Sequence, residues 1–457
     1  MGKGSVLADS VSGITSSGTK NIVRSVDWSN WAGTQSARLA RVATPRSEAD
    51  VVEEIRRAAR KGLRVKAIGA GHSFTGVAVT DGVQLRLSAL TGITSIDSTR
   101  GEATVRAGTP LHVLVEELAA FGYALPNLGD IDRQSLAGAT ATGTHGTGLR
   151  LPGLSAGVRA LRIVLADGSV VDCSPTREPH LFQAARLGLG ALGVVTEITV
   201  AVVPAFLLHA VERPERLPEV LAHVDTLAET NDHFEFYWFP HTDRALTKRN
   251  NRVPEGTARR PLRAWRERLD DDLLSNRVFE LTNRVATRVP RSTRGINAVA
   301  ARALSSRQYT DSSHKVFVTA REVRFAESEW AFARAALEEV LGELREWVDT
   351  HDERISFPVE CRVAAADDVW LSTAYEQESC YVAVHRYHRQ QRGAYFDAFE
   401  AIAANHRGRP HWGKLHTRDA DYLRSVYPRF DDFLAVRDRV DPQRRFANPY
   451  LDRVLGA

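Results

Sequence analysis

The chain has 457 residues, 43% of them hydrophobic and 25% charged. At about 100–200 residues per domain this allows two to four domains or subdomains of ordinary globular composition and excludes a fibre or a disordered chain. The net charge of +4 is small for the length, so composition makes no case for a nucleic-acid partner.

The longest apolar stretch, 194–211, is interrupted by Glu197, Pro204 and His209, which breaks the roughly 18–20 residue run that a spanning helix needs. Cys173, Cys361 and Cys380 are an odd number without short spacing, which argues against a disulfide framework or a metal site and fits a reducing compartment. Residues 1–29 carry Gly, Ser and Thr without the apolar core of a secretory signal and are expected to form a flexible tail on a cytoplasmic protein.

Residues 41–59 read as a strand end followed by a helix. Ser47 and Asp50 have capping-box spacing, and Val51, Val52, Ile55, Ala58 and Ala59 make one apolar face. Residues 63–68 read as a strand running into the turn Gly69-Ala70-Gly71-His72-Ser73-Phe74, and 83–87 as another strand. Thr109 as cap with Pro110 at the first helical position predicts a helix through Phe121. Residues 135–148 hold four glycines, three alanines and four threonines, a density of small residues that lets backbone approach a ligand closely. A hairpin over 158–172 turning at Asp167-Gly168, a helix over 180–187 and a strand over 194–203 complete an α+β unit.

Beyond Pro204, 234–239 is an aromatic strand, 316–319 and 381–384 are further strands, and 331–348 has the apolar spacing of an amphipathic helix. Residues 244–307 hold 16 Lys and Arg against 6 Asp and Glu, a local +10. Within them Leu274, Val278, Leu281, Val285 and Val289 fall at helical spacing, with Arg277, Arg284, Arg288 and Arg291 on neighbouring faces. This suits peripheral contact with an anionic membrane or docking of an acidic electron acceptor; a solvated amphipathic helix packed on the rest of the chain is the plainer reading.

Gly188, Gly190 and Gly193 match the dinucleotide fingerprint G-x-G-x-x-G. That motif requires a strand before it and a helix after it. Here the order is reversed, so a helix-to-strand turn is preferred over a nicotinamide dehydrogenase. The Gly69–Phe74 turn is different: backbone N–H groups after a strand can cradle an anion, and the donors around Ser135, Gly138, Gly143, Thr144, His145 and Gly146 form a second such set. Two anion-binding loops suggest a ligand with a diphosphate.

The pairing of G-A-G-H-S-F with N-L-G-x-I and S-L-A-G-A-T-A-T-G-T-H-G-T-G resembles the vanillyl-alcohol-oxidase type of flavoprotein, in its sugar-1,4-lactone and alditol oxidase branch. The resemblance runs from about Trp31 to Leu451. It implies an α+β architecture: a two-subdomain FAD-binding fold over 30–205, an α+β substrate cap over 206–420, and a segment over 421–457 returning to the FAD domain. It further implies FAD held covalently by His72. Gly69, Ala70, Gly71, Ser73 and Phe74 would wrap the diphosphate with Ser135, Gly138, Thr142, Gly143, His145 and Gly146, and backbone at Val194 and Val195 would contact the adenine end. No cysteine lies between His72 and Cys173, so a single histidine linkage is expected.

On the substrate side, Glu360 and Arg362 are two apart, as are His385 and Tyr387, so on strands each pair shares a face. With His411-Trp412-Gly413-Lys414 they resemble the family's E-x-R, strand-histidine and H-W-G-K motifs. The resemblance implies catalytic roles for Glu360, Arg362, His385 and Lys414, with Asp130 and Tyr387 against the substrate and no metal. Oxidising an alcohol moves a hydride to the flavin while the hydroxyl proton leaves, so a cation beside the developing alkoxide lowers the barrier. Gly129 stands where relatives control oxygen access and resembles the oxidases, whereas Asp130 replaces the serine many relatives carry. The expected reaction is oxidation of an L-gulono- or D-arabinono-1,4-lactone, with electrons passed to O2 or another acceptor. An alditol oxidase producing H2O2 is the nearest alternative, and a flavin-binding protein without catalysis a more distant one.

Overall fold

Ser47 Oγ accepts from the Asp50 N–H at 3.2 Å and Asp50 Oδ2 accepts from the Ser47 N–H at 3.0 Å, closing the expected capping box on helix α1 (Glu48–Arg60). In the computed structural model, which describes residues 26–262, 277–319 and 323–457, α1 lies between β1 (Arg41–Ala43) and β2 (Val65–Ile68). Both pair in parallel with β3 (Val83–Arg86), and Val51, Ile55 and Ala58 bury against Val65, Val83 and Leu85. The expected tail up to residue 25, and Leu274, lie outside the described residues.

A second, antiparallel sheet holds β4 (Ile93–Asp97), β5 (Glu102–Arg106), β6 (Val158–Val164), β7 (Val170–Cys173) and β8 (Val194–Ala201) in the order β7-β6-β8-β5-β4. It packs on α2 (Leu111–Ala120) and α4 (Pro179–Arg186), with the short α3 (Leu136–Ala141) between them in sequence. Helix α2 starts one position later than expected, with Pro110 as its cap; Thr109 Oγ1 instead donates to Arg106 O at 2.7 Å and accepts from Gly92 N–H.

The largest sheet contains β9 (Leu207–Arg216), β10 (His233–Trp238), β11 (Arg244–Arg252), β12 (Arg307–Ser312), β13 (Phe325–Ala333), β14 (Val359–Ala364), β15 (Ser379–Tyr387) and β16 (Arg409–Pro410). Their order is β12-β9-β11-β10-β14-β15-β13-β16. The twofold alternation of strand side chains decides what this sheet does. Phe234, Phe236, Trp238, Trp330, Phe332, Cys361, Val363, Val382 and Val384 point to one face and bury against α7 (Leu337–Thr350) and α8 (Gly393–Asn405). The intervening residues, Glu235, Tyr237, Glu327, Glu329, Glu360, Arg362, Tyr381 and His385, share the opposite face, and all but the half-buried Tyr237 are buried. A sheet apolar on one side and charged yet buried on the other is a site wall.

Between β11 and β12, α5 (Phe279–Arg288) and α6 (Thr293–Ala303) follow the undescribed stretch. Two expectations fail. Residues Ser313–Phe317 form a short helix rather than a strand over 316–319, with Val316 packing on Leu208 and Ala210. The helix expected over 331–348 begins only at Leu337, because Phe325–Ala333 pairs residue for residue with β15; ladder formation overrides the local helical spacing.

The C-terminal helices α9 (Ala420–Val426), α10 (Phe430–Val440) and α11 (Pro449–Leu455) bury Leu423, Phe433, Leu451 and Leu455 in the core shared with α2 and α4. Asn448, the cap of α11, also donates to Gly76, Val77 and Val79 carbonyls. Val65 N–H donates to Arg445 O at 2.8 Å. All three cysteines are free and buried.

Candidate active site

A cleft enclosing about 1080 Å³, the space at its mouth included, runs between the two N-terminal sheets. Gly69, Ala70, Gly71, His72, Ser73, Ser135, Gly138, Thr142 and Val195 line it, nine of the residues expected to hold a cofactor. A Cβ on Gly69 would stand 2.3 Å from Ser135 Oγ, and Gly71 has φ +71°, so both positions need glycine where the two loops meet. The backbone N–H groups of Ala70, Gly71, His72 and Ser73 donate to no acceptor among the described residues. Four unspent donors along one turn fit a diphosphate.

Leu189, Gly190 and Gly193 line the same cleft. The fingerprint turn does connect a helix to a strand, yet it forms one wall of this cleft, which its motif order alone does not reveal. Lys66, on β2, is 1% exposed and lines the cleft as well. Its ammonium donates to Gly190 O at 3.0 Å, Phe446 O at 3.2 Å and Leu189 O at 3.4 Å. Burial, helped by the nearby Arg437, pulls its pKa from 10.5 down to about 7. A buried lysine held by carbonyls alone suits a cleft that receives an anion.

His72 stacks on Trp31 with ring centroids 5.4 Å apart. Burial, then the charges of Lys414 and Arg133, lower its pKa below the ordinary value, so the imidazole is neutral and nucleophilic at pH 7.

Phe74, Gly129, Gly143, His145, Gly146 and Val194 do not line this cleft. Phe74 is buried with Phe325 and Phe357 and lies under Lys414 Nζ, 5.4 Å from its ring centroid. Gly143, at φ +81°, turns the chain against Leu187, and Val194 sits in the core beside Val164. Cβ atoms on Gly146 and Gly129 would meet Asn127 Oδ1 at 2.4 Å and His145 O at 3.1 Å. Those two glycines therefore pack one loop on another. His145 faces the large sheet: its ring stacks on Tyr381 at 3.7 Å and its Nε2 lies 3.2 Å from Glu329 Oε1.

On the charged face of the large sheet, Arg362 is ringed by carboxylates. Its Nε donates to Glu235 Oε2 at 2.8 Å, its Nη2 pairs with Glu360, and Asp130 Oδ2 lies 3.5 Å away. Tyr237 donates its hydroxyl toward Glu235 and Glu360, 3.1 Å to each, and Lys248 Nζ stands 3.3 Å from Glu235. Burial works against the Arg362 charge, but Glu360, Glu235 and Asp130 raise its pKa well above the usual value.

The second charged group centres on β13. Lys414 Nζ donates to Glu327 Oε2 at 2.5 Å, and Glu327 Oε1 lies 3.6 Å from His385 Nε2. Burial alone would raise the Glu327 carboxyl, yet Lys414 and His385 hold it at about 2. Burial takes His411 down to about 4, so its ring is neutral. The 411–415 loop joins the two halves of the site: Phe74 N–H donates to Gly413 O at 2.7 Å, and Leu415 N–H to Glu327 O at 2.8 Å.

Glu360, Arg362, His385 and Lys414 thus share one wall with Asp130. Tyr387 departs from expectation: it is fully buried and its hydroxyl donates to Glu280 Oε1 on α5 at 2.5 Å, so that hydroxyl is already engaged. Glu235, Tyr237, Lys248, Glu327 and Glu329 were not anticipated. The signal was present for two of them, since Glu327 and Glu329 alternate within the apolar run Phe325–Ala333.

Residues 198–454 match the D-arabinono-1,4-lactone oxidase family and residues 39–174 match the FAD binding domain family. An L-gulono-1,4-lactone dehydrogenase of Mycobacterium tuberculosis is 42% identical over 94% of this chain and 99% of its own length. The L-gulonolactone oxidase of Mus musculus is 31% identical over the same shares. Among solved structures, cholesterol oxidase from B. sterolicum superimposes with a TM-score of 0.80 at 17% identity over 97% of this chain and 100% of that one, a likeness of fold. With an FAD binding domain at its N-terminal end and a lactone oxidase domain covering the rest, this chain belongs to the D-arabinono-1,4-lactone oxidase family of FAD-dependent oxidoreductases.

Proposed function

We propose that the protein oxidises an aldono-1,4-lactone of the L-gulono or D-arabinono type at a carbinol carbon, with FAD in the 69–73 cleft attached through His72. The observation that carries this reading is the buried, charged face of the large sheet, whose acceptors and cations adjoin the cleft through the 411–415 loop. When bound, FAD supplies the two-electron acceptor for the hydride. Glu360 and Asp130 accept hydrogen bonds from sugar hydroxyls, and Arg362 is fixed as the donor among them. Lys414, protonated beside Glu327, stabilises the oxygen as it loses its proton. The Nδ1 of His385 donates to Pro358 O at 3.1 Å, which leaves Nε2, facing Glu327, as the ring atom available to take the proton.

Relatives carry both oxidase and dehydrogenase names, so the reoxidant is O2 or another acceptor. Turnover on a panel of aldonolactones and polyols tests the reading: lactones are expected to react, and activity confined to polyols would transfer the site to alditol oxidation.

A second element concerns the acceptor side. Five of the eight exposed large hydrophobics among the described residues, Val278, Leu281, Val285, Val289 and Val299, lie on or beside α5 and α6. Arg277, Arg284, Arg288, Arg291, Arg294 and Arg302 are exposed among them. Apolar side chains interleaved with arginines favour peripheral contact with an anionic lipid surface. No described helix is long and apolar enough to cross a membrane.

A further inference from the structure

Glu327 stands directly opposite His385 in the β13–β15 ladder, so their side chains leave the same face of the sheet as near neighbours. One residue serves three partners, two through its carboxylate and one through its backbone. Oε2 accepts from Lys414 at 2.5 Å, Oε1 lies 3.6 Å from His385 Nε2, and the backbone oxygen accepts from Leu415 N–H at 2.8 Å. The residue after Lys414 and the Lys414 side chain are therefore both tied to Glu327, which is 4% exposed.

We propose that Glu327 is the positioning residue of the oxidation: it aims the Lys414 ammonium, keeps it charged in a buried site, and stabilises a proton arriving on His385. The inference rests on the lactone-oxidation reading for its kinetic part only. A buried lysine is driven toward the neutral form by desolvation. Lys66, held by carbonyls, shows that outcome in this chain, whereas Lys414 has its pKa raised, the desolvation being outweighed first by Glu327 and then by Glu329. The charged and titratable groups facing Lys414 are Glu327 and Glu329 from β13 and Asp130 from the 129–130 segment. His72 and His411 feel its charge in turn, from the cofactor turn and from its own loop; His385 and His145 reach the cluster through Glu327 and Glu329. Glu329 is committed to His145 at 3.2 Å, whereas Glu327 is the carboxylate, among the described residues, that pairs with the lysine.

The experiment compares the parent, Glu327→Gln, Lys414→Met and the double variant. The alkaline limb of kcat/KM for Glu327→Gln is expected to move down by about one pH unit or more, the size of shift an opposite charge at this distance produces. kcat should fall with little change in KM. A merely structural glutamate would lower the yield of folded protein and leave the limb in place.

The second readout needs no substrate. Without Glu327 the folded-state pKa of Lys414 falls below the unfolded 10.5, so the variant loses stability as pH decreases through that window. The gap in thermal midpoint between parent and Glu327→Gln should therefore widen from pH 9.5 to pH 6.5, and the corresponding gap should be independent of pH in the Lys414→Met background. An unmoved limb in an active parent, or a midpoint gap that ignores pH, overturns the inference. A parent inactive on every lactone overturns the substrate reading instead, while the midpoint gap still decides the role of Glu327. If Glu327→Gln does not fold, Glu327→Asp is used, and a limb identical to that of the parent despite the shortened reach counts against the proposal.

Discussion

Arg362 and Glu235 meet across the β10–β14 pair, where they are register partners and the guanidinium Nε donates to Oε2 at 2.8 Å. The other side of the fork pairs with Glu360, so the guanidinium plane is set by two carboxylates from adjacent strands. Lysine carries the charge but not the fork. Arg362→Lys is expected to keep its flavin and to lose roughly ten- to a hundredfold in kcat/KM, the worth of one hydrogen bond to a charged group. Arg362→Met, which strands Glu235, Glu360 and Asp130 in a buried wall, should also lose about 3–5 kcal/mol of stability. Steady-state kinetics and denaturant unfolding check the two outcomes separately.

Lys66 should make stability depend on pH in the apoprotein. Its folded-state pKa of about 7 lies below the unfolded 10.5, so between those values the unfolded chain binds more protons and stability rises with pH. Lys66→Met removes that slope. The thermal midpoint of the variant relative to the parent is expected to fall from pH 7 to pH 10. Adding ADP, whose diphosphate favours the ammonium form, should flatten the difference. A relative midpoint that stays level across this range without ADP would show that Lys66 does not titrate there.

Much of the cofactor side was readable in the sequence because it depends on local chemistry. A glycine turn after a strand, a capping box at Ser47 and a small-residue loop from Ser135 each carry their own signature. The charged wall was readable where two residues stood two apart, as Glu360 and Arg362 do, and at the His411-Trp412-Gly413-Lys414 motif. Glu235 becomes part of it because β10 pairs with β14, and register between these strands, more than a hundred residues apart, is set by tertiary packing, not by local pattern; Lys248 follows as the partner of Glu235 across the neighbouring β10–β11 pair. Tyr387 shows the reverse: its spacing from His385 puts both on one face, but α5 brings Glu280 onto its hydroxyl, and nothing near Tyr387 in sequence announces that helix.

His72 lines the cleft as a neutral ring stacked on Trp31. If it carries the flavin, a denaturing gel viewed under ultraviolet light will show a fluorescent band in the parent and none in His72→Ala. The variant should still bind FAD reversibly, since the four free N–H donors of the turn are backbone groups. A parent band that survives His72→Ala would move the attachment elsewhere, and no band in either would make the cofactor dissociable.

The α5–α6 face is open to a direct test because its apolar and basic parts respond to different variables. Leu281 and Val299 are 61% and 64% exposed, and Arg284 and Arg288 are exposed beside them. Apolar insertion contributes about 25 cal/mol per Å² buried, and each arginine near an anionic surface about 1 kcal/mol, screened within a Debye length of about 8 Å at physiological salt. The protein should therefore sediment with vesicles of mixed phosphatidylglycerol and phosphatidylcholine, release at high salt, and ignore vesicles of phosphatidylcholine alone. Leu281→Gln with Val285→Gln should weaken sedimentation at every salt concentration, whereas Arg284→Gln with Arg288→Gln should weaken it only at low salt. Failure of the parent to sediment with anionic vesicles at low salt would leave the exposed face as the outer side of a helix pair whose inner side packs through Phe279 on Phe357 and through Asn297 on Ile355 O.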